Sequence, residues 1–139
     1  MNWKKFFIAF VVMFVFLFAF GFVWWGKLMH GAHMEVPVLW RTEAEFGNYF
    51  PWLILGHVVM AFFLAMLYAR HGGGSVGSGT CLGLLVGLVY AGNDFITYAV
   101  QPITTTILCG WIAGDILMFA IAGAILGAIY KPSTPSAGV

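Results

Sequence analysis

Four apolar stretches, each about as long as a bilayer is thick, are joined by short polar segments, and this pattern leaves a chain of 139 residues little choice of fold. A hydrocarbon core of about 30 Å takes about 20 residues of α-helix. Within it each backbone N–H and C=O must be satisfied inside the segment, so an uninterrupted apolar stretch of that length reads as a helix. The stretches cover residues 6–29, 51–69, 76–100 and 105–130. With 62% of residues hydrophobic, 8% charged and a mean hydropathy of +0.96, no sequence is left for a soluble domain. The expectation is an all-α membrane protein: a single domain, 1–139, of four transmembrane helices in an up-down bundle.

The first helix follows a basic lead containing Lys4 and Lys5. Lead and apolar run together resemble a secretory signal, but the run outlasts a typical signal core, which favours a retained helix. Its Phe residues at 6, 7, 10, 14, 16, 18, 20 and 22 fall on all sides at about 100° per residue, so the helix reads as a wall toward lipid or another subunit. Residues 30–50 form the longest loop, flanked by Trp24, Trp25, Trp40, Tyr49 and Trp52, rings suited to the headgroup zone. Within it residues 38–46 have the pattern of a short interfacial helix. Pro51 suits the first turn of the second helix, and residues 131–139 form a polar tail that cannot build a core. Lys4, Lys5, Arg70 and Lys131 at one end outnumber Lys27 and Arg41 at the other, which places both termini in the cytoplasm.

Small residues set helix approach in lipid, where no hydrophobic drive pulls helices together. Gly79, Gly83 and Gly87 recur every fourth residue in the third helix; Gly110 with Gly114, and Gly123 with Gly127, do so on two faces of the fourth. The third and fourth helices should therefore pair closely and antiparallel, leaving a second glycine face for another helix or subunit.

The polar residues are the functional clue, because a carboxylate at the centre of a membrane helix costs about 2.5 to 3.5 kcal/mol on the insertion scale. His57, Asp94 and Asp115 lie about 9, 10 and 14 Å from the outer ends of their helices. Asp94 shares the face of Gly83 and Gly87, so an interior cluster of His57, Asn93, Asp94 and Asp115 is expected. It either fixes helix register or holds a cation or proton. Beyond the first helix, Met29, His30, His33 and Met34 are soft and imidazole ligands of a kind that copper accepts, though no third protein site secures them. Cys81 and Cys109, near opposite membrane faces, are too far apart for a disulfide. There is no CxxC pair, phosphate loop, HExxH or nucleophile elbow, and catalysis is the least supported class. No cofactor is required, with a metal ion the one candidate. A net charge of +1 without basic runs argues against nucleic acid.

The aromatic and Gly-rich residues 21–29, then Leu39, Trp40 and Arg41, and the Gly-spaced third helix resemble small uncharacterised four-helix bacterial integral membrane proteins. The resemblance implies a bacterial inner-membrane location and no activity. Of the readings left, a non-catalytic accessory or assembly subunit of a larger membrane complex ranks first, with other membrane subunits or further copies of itself as partners. A proton or cation pathway through His57, Asp94 and Asp115 in an oligomer is the alternative, and metal binding at His30 and His33 the second.

Overall fold

The structure is a computed structural model that describes residues 2–71 and 74–130, so the expected tail at 131–139 lies outside the described residues. It is all-helical among them, with four helices long and apolar enough to cross a membrane. These are α1 (Trp3–Val23), prolonged by one π-helical turn (Trp24–Leu28), α3 (Glu43–His71), α4 (Val76–Val100) and α5 (Thr105–Ile129); a single turn, α2 (His30–His33), and a 3-10 turn (Pro37–Leu39) lie in the connection after α1. Each long helix starts on a side chain that accepts a hydrogen bond from an otherwise orphan backbone N–H. Asn2 accepts from Lys5, Ser75 from Ser78 and Thr104 from Ile107. At α3, Thr42 and Glu45 form a reciprocal capping box: the Glu45 N–H donates to Thr42 Oγ1, and the Thr42 N–H to Glu45 Oε2.

That box corrects the expected helix start at Pro51. The helix begins two turns earlier, Pro51 lies inside it, and the 30–50 loop shrinks to the segment ending at the cap. The charges at 43 and 45 that look like loop residues are the exposed first turn of a helix, and Arg41 lies just before its Thr42 cap. Proline tolerates this position because all residues from 43 to 53 are exposed, so the carbonyl it leaves unbonded is not buried. The expected interfacial helix over 38–46 is likewise split between the 3-10 turn and the start of α3.

The helices run up and down. Phe6 packs edge-on to Phe62, and Phe18 packs on Phe50 and His57, so α1 and α3 are antiparallel. The α4–α5 pair is closest. A Cβ placed on Gly79 would overlap the Gly123 carbonyl and one on Gly83 the Phe119 carbonyl, so backbone lies directly on backbone. Tyr68 of α3 donates its hydroxyl to the Gly79 carbonyl, tying α3 to the start of this pair.

Helix α1 is not the outer wall expected from its phenylalanines. Phe6, Ala9, Met13 and Leu17 form one buried stripe, at most 1% exposed, that packs with Ala61, Leu64, Ala65 and Tyr68 of α3 and Met118, Phe119, Ala122 and Leu126 of α5. Only one of its eight Phe residues belongs to the stripe, which is why counting rings around the helix hides it.

Gly83→Ala should lower unfolding stability by about 2 kcal/mol, since the added methyl forces two backbones apart. Gly92→Ala, where nothing lies within 4 Å, should leave stability unchanged or raise it slightly. Unfolding from mild detergent by increasing dodecyl sulfate measures both, and equal midpoints for the two variants would refute the backbone contact.

Candidate functional site

At the end of the bundle carrying the connection after α1, the helices diverge around a cavity of about 690 Å³. Its walls include Leu17, Phe18, Gly21 and Trp25 of the first helix, His33 and Trp40 of the connection, Phe46, Phe50 and His57 of α3, Tyr90 and Asp94 of α4, and Trp111, Asp115 and Met118 of α5. At the other end the interior is filled by the core stripe.

The carboxyl groups come from the closely packed pair. Asp94 continues the buried stripe Gly79, Gly83, Gly87 and Ala91 of α4, and Asp115 follows Gly114 on α5. They are 6% and 7% exposed, and their carboxyl groups lie within hydrogen-bonding reach of each other. A carboxylate oxygen can only accept, so a hydrogen bond between the two requires a proton on at least one of them. Asp94 Oδ2 is buried and receives no hydrogen bond from any amide, hydroxyl or ring N–H.

His57 lines the same cavity but is turned to its own helix. Its Nδ1 lies 2.8 Å from the Leu53 carbonyl, which can only accept, so Nδ1 carries the proton and Nε2 is left with its lone pair. The expected cluster is therefore a pair of carboxyl groups with an imidazole across a cavity rather than one hydrogen-bonded knot. Asn93 is not part of it: one residue back from Asp94 turns it by about 100°, and it is exposed.

The four candidate metal ligands are not brought together. Met29 is buried against Gly110, while His30 and Met34 are exposed. His33 is 9% exposed, and its Nε2 accepts a hydrogen bond from Trp111 Nε1 at 3.1 Å. Among the described residues no group of three or more His, Cys, Asp or Glu could hold a metal ion. Cys81 and Cys109 are free.

The second glycine face is filled by side chains. Trp24 lies on Gly114 and donates Nε1–H to the Gly110 carbonyl at 3.0 Å, next to Met29. The π turn at Trp24–Leu28 sets this register, a local widening of the helix of the kind found at functional sites.

What the sequence reading missed is the Trp111, His33 and Trp40 wall. The His33 ring stacks on Trp40 at 4.3 Å between centroids, with Trp111 edge-on to both. Trp111 precedes Asp115 by four residues and shares its helix face, which was the one local signal available.

Burial, with a smaller contribution from the nearby charge of His30, holds His33 below the ordinary histidine value of 6.5. A group whose pKa is lowered by folding favours the fold fully above its unfolded pKa. That stability is lost as pH falls through the folded value. Melting in detergent should therefore move to lower temperature between about pH 7.5 and about pH 5.5. In His33→Gln, whose amide oxygen takes the place of Nε2, the downward movement should be smaller. An identical pH profile in the variant would show that His33 is not the sensor.

No protein-family model, curated protein or solved structure matches this chain.

Proposed function

We propose that this is an integral membrane protein, with both termini on the cytoplasmic side of a bacterial inner membrane, that acts as a non-catalytic binding subunit of a larger membrane complex. The observation that carries the reading is the division of the interior. Among the described residues, every buried ionisable group of the spans other than tyrosine lies at one end, around the cavity. The other end is closed by Phe6, Met13, Tyr68, Phe119 and Leu126, each at most 4% exposed. Conduction needs polar or wet lining on both sides of a site, and this packing supplies none. A site with polar lining at one end only is suited to binding.

The charge count supports the orientation: Lys4, Lys5 and Arg70 mark the closed end, Lys27 and Arg41 the cavity end, which then faces outward. A proton or cation pathway is the second reading, favoured by the contact of Asp94 with Asp115. For the isolated chain, the filled end counts against it.

Liposomes reconstituted with the purified chain should show no proton or cation flux above empty vesicles under an imposed gradient. Native mass measurement after mild extraction should find the chain with foreign subunits. A flux that disappears in Asp94→Asn would overturn this ranking and make the pathway the function.

A further inference from the structure

We propose that the cavity binds a protonated amine carried on an apolar body, its N–H groups directed at Asp94 and Asp115. The inference deepens the binding reading above and rests on it only in taking the cavity as the working site.

Three observations converge on that chemistry. The volume of about 690 Å³ falls in the range of small-molecule sites. The lining contains no Lys or Arg but includes two carboxyl groups, so an anion would be repelled and a cation drawn in. The lining carries the carboxyl oxygens of Asp94 and Asp115 and the His57 ring beside the donors of Trp25 and Tyr90. Trp111 Nε1–H is used by His33, and His57 Nδ1–H is used by Leu53, which leaves the His57 Nε2 lone pair.

Carboxyl oxygens accept hydrogen bonds, and this separates the amine from other cations: a quaternary ammonium offers charge but no N–H. The rest of the lining is Trp25, Trp40, Phe18, Phe50 and other apolar side chains, a surface for hydrocarbon and, near the charge, for cation–π contact.

The amine has two sources, an ethanolamine lipid headgroup or a free lipophilic amine. The full chain in phosphatidylglycerol nanodiscs is titrated with dodecylamine, dodecyltrimethylammonium and dodecanol, followed by calorimetry and by the fluorescence of the cavity tryptophans. Dodecylamine should bind at least about tenfold more tightly than dodecanol, and more tightly than the trimethyl compound. Asp94→Asn should remove the preference for the amine over the alcohol while helical content and monodispersity are retained. Repeating the titration in phosphatidylethanolamine nanodiscs identifies the source. A loss of dodecylamine affinity there assigns the site to the lipid headgroup, and an unchanged affinity assigns it to a free amine. Equal binding of amine and alcohol, or of amine and trimethyl compound, would overturn the proposal. Amine binding together with ion flux would support it while refuting the non-conducting function. Absence of both amine preference and flux would refute it and leave that function standing.

Discussion

Backbone lying on backbone between α4 and α5 is the contact on which the rest depends. In lipid, association draws on dispersion and hydrogen bonding rather than on expulsion of water, so the return grows steeply as two helices approach. Gly79 and Gly83 meet the carbonyls of Gly123 and Phe119, and no side chain separates the two helices there. The same ladder fixes rotation as well as distance. Asp94 lies on its continuation, so the stripe that closes the helix pair also turns the carboxyl inward toward Asp115. Two carboxyl groups in apolar surroundings would otherwise separate. Here the helix contact holds them together, and a proton on at least one of them is what lets the two hydrogen-bond.

The two ends of the bundle are built on different fillers. At the closed end, glycine and alanine admit neighbouring backbone, and Phe6, Met13, Phe119 and Leu126 occupy what remains. At the cavity end, the glycines of α5 receive side chains instead: the Trp24 indole on Gly114 and the Met29 thioether on Gly110. An indole ring is thicker than the gap between two touching backbones. Helix α1 is held farther from α5 there, and the walls between them need not meet.

The four long apolar helices were legible because bilayer length and hydropathy act on each segment separately, with no knowledge of its neighbours. Asp94 was legible on the interior face for a similar reason, since its spacing from Gly83 and Gly87 is a property of one helix. The start of α3 was misread because Arg41, Glu43 and Glu45 were weighed as charges; the capping relation between Thr42 and Glu45, three residues apart, is the stronger local signal. The burial of α1 was misread for the opposite reason. Its stripe of Phe6, Ala9, Met13 and Leu17 is no more apolar than the other faces, so periodicity had nothing to detect, and only the shape of α3 and α5 selects it. His33 and Trp111 are 78 residues apart, and no sequence pattern pairs them.

That pairing also changes what the histidines can do. With both ring nitrogens free, His30 and His33 on one short turn would form half of a soft-metal site. In the fold His33 gives Nε2 to Trp111 and stacks on Trp40, becoming part of the cavity wall and leaving His30 outside. His57 gives its Nδ1–H to Leu53 and presents only a lone pair. Each imidazole is committed by one hydrogen bond to a single tautomer, and both commitments remove a donor from the interior. Next to two carboxyl groups, the result is a cavity in which the Trp111 and His57 N–H groups are already used, and that bears on which occupants it can satisfy.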